Sequence, residues 1–151
     1  MQFKYDIQNL GPVLGTLRKV KNSVKHMRAF FKTAGGLIIE SVTRNFMAGG
    51  RPKWEPLTPS TIRRRRQGEG TGAPKPLRDT NVLMVSIGRP SKDGIFEVGN
   101  KEVTVGTNVP YARYHQFGTR HMPARPFMMV QKEDEQKIVQ AALDEIKKAA
   151  K

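Results

Sequence analysis

Apolar residues recur every three or four positions in the first part of the chain. Over residues 12–33 they fall on one helical face, and the basic residues lie mostly off that face, which predicts an amphipathic helix. The apolar positions are Leu14, Leu17, Val20, Val24, Met27 and Phe31.

The pattern weakens at Gly35 and Gly36, because a glycine costs roughly 1 kcal/mol inside a helix. Apolar spacing then resumes at Ile38, Val42 and Phe46. We expect either two helices or one long helix with a weak point at these glycines. Gly49 and Gly50 should end it, since glycine commonly follows a helix C-terminus.

Residues 48–78 differ in kind from what precedes them. They are rich in proline and glycine and contain four consecutive arginines at 63–66. A connection of this length is usually functional or disordered. We expect a long flexible loop within a single domain of residues 1–151. One short helix should begin at Thr58-Pro59-Ser60, where proline suits the first helical position.

The second half of the chain predicts short elements and one long helix. Asp79 and Thr80 indicate a short capped helix through Leu83 and Ile87, although a strand is the alternative. Residues 94–99 and 102–106 predict a hairpin, and residues 131–149 predict a helix whose inner face carries Ile138, Ala142, Leu143 and Ile146. The fold class is therefore α+β: long N-terminal and C-terminal helices flank a small antiparallel sheet.

Composition narrows the kinds of function. The absence of cysteine excludes disulfides, thiolate metal sites and cysteine nucleophiles. No apolar run approaches the ~20 residues of a membrane span, and the N-terminus lacks an apolar signal core, so we expect no membrane role. The net charge of +14 favours polyanions or acidic protein surfaces as partners.

The segment 111–127 holds two histidines and three arginines and invites a chemical interpretation. His115 and His121 are six residues apart, which fits no common helical metal pair, and residues 103–132 contain no Asp or Glu. Ser86 lacks the elbow context of a serine nucleophile, and residues 68–72 do not form a phosphate-binding loop. We therefore expect no enzyme activity, metal, cofactor or small-molecule substrate.

Nucleic-acid binding is the alternative function. The arginines Arg63, Arg64, Arg65 and Arg66 could contact phosphates, and Trp54 or Tyr111 could stack on bases. However, aromatic residues do not alternate with basic ones along a strand, and no segment matches a groove-reading module. Incidental DNA contact through charge alone is expected.

Several segments together resemble one family. They are Trp54-Glu55-Pro56-Leu57, residues 76–80 (PLRDT), residues 105–119 (VGTNVPYARYHQFGT), residues 122–127 (MPARPF) and the acidic helix start at Glu133. Their order and spacing resemble the phage virion morphogenesis family, the tail-completion proteins of contractile-tailed and Mu-like phages and prophages. The likeness covers about residues 30–147. Asn81 stands where the family commonly has glycine, and asparagine tolerates unusual backbone angles.

The resemblance implies a non-enzymatic structural protein of the head–tail junction. Such proteins act in tail completion or as tail terminators, forming a homo-oligomeric ring, here expected to be a hexamer, that contacts neighbouring tail or neck proteins. The location implied is the host cytoplasm during assembly and then the tail or neck of the virion.

Within this interpretation, Tyr111 and Tyr114 should anchor the segment to the sheet and the first helix, and Gly118 should have a positive φ. Arg125 should bond either to carbonyls or to Asp79. The full set of expected structural or interface residues is Trp54, Arg78, Asp79, Tyr111, Tyr114, His115, Phe117, Gly118, Arg125, Pro126 and Phe127. Arg63 to Arg66 should face an acidic partner or DNA.

Overall fold

A computed structural model describes residues 27–70, 74–87 and 92–150, together with residues 15, 18, 19, 21 and 22. In chain order the elements are α1 (Arg28–Ala48), α2 (Pro59–Arg64), a π-helical turn (Arg65–Glu69), α3 (Val82–Ser86), β1 (Gly94–Val98), β2 (Val103–Thr107), α4 (Ala112–Phe117) and α5 (Lys132–Ala150). Among the described residues, no helix is both long and apolar enough to cross a membrane.

The predicted hairpin and the α+β class are confirmed. β1 and β2 pair antiparallel with Phe96 opposite Val105, and the turn is closed by a bond from the Gly99 N–H to the Glu102 carbonyl at 2.9 Å. A two-stranded sheet is marginal on its own and needs a helix to cover it. Here α1 packs on the hairpin.

Helix α1 runs without interruption through both glycines, so the predicted weak point is instead a packing site. A Cβ atom on Gly35 would come within 2.5 Å of Phe96 Cε2 and 2.8 Å of Val103 Cγ2, whereas one on Gly36 would meet nothing within 4 Å. The helix therefore approaches the hairpin closely only because Gly35 has no side chain. Of the predicted helix at 12–33, residues 12–14, 16, 17, 20 and 23–26 lie outside the described residues, and residues 28–33 belong to α1.

The C-terminus of α1 lies where the glycines predicted it. Gly49 has φ 72°, the left-handed conformation that favours glycine. The Gly50 N–H donates to the Asn45 carbonyl at 2.8 Å and the Gly49 N–H to the Phe46 carbonyl at 3.3 Å. These two bonds form a Schellman motif, which satisfies carbonyls that the helix leaves without partners.

The core is built around three aromatic rings. Phe46 contacts Trp54 edge-on at 5.7 Å between ring centroids and Phe127 at 5.4 Å. The other buried core residues are Val42, Leu77, Leu83, Ile87, Val109 and Ala112. Trp54 thus belongs to the interior, and its indole Nε1 donates to the Pro126 carbonyl at 3.1 Å. A buried indole N–H needs such a partner.

Helix α5 is joined to α1 by a buried carboxylate. Asp134 is 1% exposed and contacts Arg44, and its Oδ2 lies 3.3 Å from Arg51 Nη2. Burial by itself would raise the pKa of Asp134, but hydrogen bonds from Ser41 and Arg51 and the charge of Arg44 outweigh it, so the pKa lies below its ordinary value.

The predicted inner face of α5 is wrong at one residue. Ile138, Ala142 and Ile146 are half-buried, but Leu143 is 45% exposed. The helix faces α1 through Asp134 as well as its apolar residues, and a periodicity of apolar positions does not register a buried carboxylate.

The segment 48–78 contains regular structure in its middle. α2 begins where predicted, with Pro59 at the first helical position and the Thr58 hydroxyl accepting from the Thr61 N–H at 3.3 Å. The flexibility expected of this segment remains a prediction. Residues 82–86 are helical, which decides between the two alternatives, and Asn81 has φ 60° at the start of that helix.

Replacement of the two α1 glycines by alanine should have opposite effects. Gly36→Ala is expected to stabilise the protein by about 1 kcal/mol, since alanine favours helix and the site is open. Gly35→Ala should destabilise it by about 1–2 kcal/mol, because overpacking against Phe96 and Val103 exceeds the helical gain. Urea unfolding of both variants tests this, and equal stabilisation by both would contradict the packing argument.

Asp134→Asn is expected to destabilise the protein by about 3 kcal/mol near neutral pH. This is the lower end for a broken buried pair, because both arginines remain partly exposed. Glu133→Gln is the control: it removes the exposed partner of Arg51 and should cost less than about 1 kcal/mol. Urea unfolding compares the variants.

The same carboxylate sets a pH dependence. Its folded pKa lies below the ordinary value of 3.8, so its stabilisation is complete above that value and is lost as the pH falls through the lower folded pKa. The difference in unfolding free energy between wild type and Asp134→Asn should therefore stay constant well above pH 3.8 and shrink as the pH falls below that value. A difference that stays constant below that value as well would show that the carboxylate charge is not responsible.

Candidate interaction surface

The segment 111–127 is a short helix followed by a tight turn. α4 covers Ala112–Phe117, a helix that the sequence pattern did not predict. It ends at Gly118, whose φ of 75° confirms the predicted positive angle. A Cβ atom there would lie 2.8 Å from the Ala124 nitrogen. Thr119 and Met122 then pair across the turn.

One polar side chain and one main-chain hydrogen bond hold α4 to the chain that follows it. The Gln116 Oε1 accepts from the N–H groups of Phe127 and Met128, each at 3.0 Å. The main-chain N–H of Arg125 donates to the His115 carbonyl at 2.7 Å. Helix α4 is therefore held against the chain that leads into α5. The sequence pattern did not indicate this role of Gln116, because its partners are main-chain groups eleven and twelve residues away.

Arg125 is 6% exposed and bonds to carbonyls, one of the two predicted alternatives. Its Nε donates to the Glu55 carbonyl at 3.0 Å and its Nη2 to the Pro56 carbonyl at 3.2 Å. Asp79 instead faces Arg65, with 3.7 Å between Asp79 Oδ2 and Arg65 Nε. Arg125 thus joins the 111–127 segment to the chain that precedes α2.

The expected anchoring by Tyr111 and Tyr114 is not what the structure shows. They are 41% and 42% exposed, and their ring contacts are with His115 and Arg113 of the same segment. Ala112 and Val109 make the buried contacts instead.

One face of α4 is both exposed and aromatic. Phe117 is 80% exposed, the Arg113 guanidinium lies 4.7 Å from the Tyr114 ring centre, and Arg113 Nη2 donates to the Tyr114 hydroxyl at 2.6 Å. We call Arg113, Tyr114 and Phe117 the aromatic face. Among the described large apolar residues it contains the most exposed one, Phe117.

The other side of α4 borders a groove of about 570 Å³ between α2, α3 and the 118–125 turn. His115 is half-buried there, while His121 is exposed. Burial and the charges of Arg125 and Arg65 lower the pKa of His115, so its imidazole is neutral at pH 7. No group of three or more His, Asp or Glu within the described residues could hold a metal ion.

The four consecutive arginines differ in exposure and in contacts. Arg63, Arg64 and Arg66 are exposed, but Arg65 is turned inward, where it faces Asp79 and donates to the Lys75 carbonyl at 3.2 Å. Arg78 lies close by, with its Nε 3.4 Å from Asn81 Oδ1. Only three of the four arginines are thus placed to meet a partner.

Comparison with known proteins supports the family resemblance that the sequence motifs suggested. The sequence pattern of the phage virion morphogenesis family matches residues 6–147. The chain belongs to this family. Membership extends to residue 6, beyond the predicted start near residue 30, and supports a structural role in the assembly of phage particles.

A relative from Haemophilus influenzae is the Mu-like prophage FluMu G protein 2, which is 33% identical over 146 residues. The match covers 92% of each chain. No solved structure matches the present chain.

Arg125→Ala is expected to destabilise the protein by about 2 kcal/mol, since the Glu55 and Pro56 carbonyls lose their donor. Arg125→Lys should restore little of this, because one ammonium group does not reproduce the two-pronged contact of a guanidinium. Arg113→Ala is the matched control on the exposed face and should change stability by less than about 0.5 kcal/mol. Thermal unfolding measures all three, and full rescue by lysine would show that charge alone matters.

Proposed function

We propose that the protein is a non-enzymatic subunit of the head–tail junction that completes the tail as a ring of identical subunits. The observation that carries this is the aromatic face, an exposed Phe117 on a helix that Gln116 and Arg125 fix in place. Family membership supports the phage context, and the ring and its place at the head-proximal end of the tail are the proposal.

The aromatic face has the composition of an interface core. Protein interfaces are enriched in aromatic residues and arginine, and burial of a phenylalanine side chain contributes roughly 1.5–3 kcal/mol. Because α4 is already held by Gln116 and Arg125, docking costs little further ordering of the backbone. An 80% exposed phenylalanine in such a place is explained by a partner that covers it.

A closed ring needs two different surfaces on each subunit, because its contacts run head to tail. The outer side of α5 supplies the second. Val139 is 59% and Leu143 45% exposed, and Glu135 and Val139 line a shallow groove of about 370 Å³ with Lys132, Gln136 and Gln140. We assign Phe117 of one subunit to this apolar strip of the next, with Arg113 facing Glu135.

Nucleic-acid binding has less support as the main role. The inward orientation of Arg65 breaks the run of four basic side chains, and Trp54 is buried in the core rather than exposed for stacking.

Phe117→Ser and Val139→Ser should each abolish ring formation without unfolding the subunit, because each removes one of the two complementary surfaces. An equimolar mixture of the two should form dimers and nothing larger, since one intact contact is then available per pair. Met47→Ser is the control, as Met47 is 56% exposed but lies on α1. Mass photometry and electron microscopy measure the assemblies.

The same variants test the function in a lysogen from which the gene is deleted. Complementation with Met47→Ser should restore infectious particles, whereas Phe117→Ser should leave heads and tails unjoined. Rings formed normally by Phe117→Ser, or mixtures that give no dimer, would refute the assigned contact.

A further inference from the structure

The groove beside α4 is lined by residues of two chemical kinds. Arg65 and Arg125 are basic, and the apolar lining residues are Leu57, Leu77, Val82, Leu83 and Met122. Its volume of about 570 Å³ falls within the usual ~300–1,000 Å³ range of binding pockets. The proposed ring contact does not involve this groove, because the aromatic face lies on the other side of α4.

The charges of the lining favour an anionic occupant. Asp79 is the acidic residue of the lining, and it is already paired with Arg65. Arg125 adds a second positive charge, and His115 is a neutral imidazole. The chain as a whole carries +14, so an acidic partner is also attracted at long range.

The apolar lining residues favour a protein segment over nucleic acid as the occupant. Leucine and methionine side chains gain from burying an apolar group, but they offer nothing to a phosphate. Single-stranded nucleic acid is bound through aromatic stacking platforms, and Tyr111 is the one Phe, Tyr or Trp side chain among the lining residues. A peptide supplies an apolar side chain and carboxylates together.

A second copy of this chain is a poor occupant. Several of its described carboxylates are already paired: Asp134 and Glu133 with Arg51, and Glu145 with Lys148. The occupant should therefore come from a different, acidic protein.

We propose that this groove binds a short acidic segment of another protein, with an apolar side chain against the apolar lining residues and carboxylates facing Arg65 and Arg125. The segment would belong to a neighbouring tail or neck protein, and in that respect alone the inference rests on the proposed function.

The test is fluorescence anisotropy with a labelled hexapeptide that alternates glutamate and leucine. Two further peptides separate the contributions: one replaces glutamate with glutamine and the other replaces leucine with serine. The protein carries Phe117→Ser, so that binding is measured on unassembled subunits. The glutamate–leucine peptide should bind at least about tenfold more tightly than either control, which corresponds to about 1.4 kcal/mol.

Two valines of α3 provide matched variants. Val82 is 47% exposed and lines the groove, whereas Val85 is 42% exposed and is not part of the lining. Val82→Glu should weaken binding of the glutamate–leucine peptide at least about tenfold by placing a like charge at the site. Val85→Glu should change it less than about twofold, and thermal unfolding confirms that both variants fold.

Three results would overturn the proposal: equal weakening by Val82→Glu and Val85→Glu, equal binding of the glutamate–serine peptide, or an oligothymidylate that binds more tightly than the glutamate–leucine peptide and is weakened by Val82→Glu but not by Val85→Glu. The last would assign the groove to nucleic acid. Peptide binding that persists while wild-type protein forms no ring would refute the ring and leave the groove intact.

Discussion

The fold depends on one buried charge cluster around Asp134. A carboxylate that is 1% exposed is tolerated only when it is paired and hydrogen-bonded. Arg51, in the turn after α1, meets this need and also donates to the Ser41 carbonyl and the Asn45 side chain. The pairing therefore fixes three parts of the chain at once: the end of α1, the turn after it and the start of α5.

The path of the chain before α5 follows from this cluster. Asn45, positioned by Arg51, donates from Nδ2 to the Phe127 carbonyl at 2.9 Å and to the Met129 carbonyl at 2.8 Å. These bonds place Phe127 against Phe46 in the core. The neighbouring Arg125 then donates to the carbonyls of Glu55 and Pro56, before α2. One connected set of hydrogen bonds therefore holds both the core and α4.

These bonds give α4 two different sides. One side carries Phe117 and Arg113 outward, where the proposed ring contact would form, and the other borders a groove lined by apolar residues and by Arg65 and Arg125. Arg125, one of the residues with apparent catalytic potential, holds main-chain carbonyls, whereas His115 is half-buried with its pKa lowered by burial and by nearby arginines.

The sequence by itself determined what depends on neighbours in the chain. Apolar spacing and the preferences of glycine and proline located the C-terminal end of α1, the start of α2, the hairpin and the positive φ of Gly118, and the motifs identified the family. Tertiary structure alone decided that Gly35 is a contact with the hairpin, that Asp134 is buried while Leu143 is exposed, and that Gln116 holds α4. These outcomes depend on partners distant along the chain, such as Arg51 and Asp134, which lie 83 positions apart, and local periodicity carries no information about such pairs.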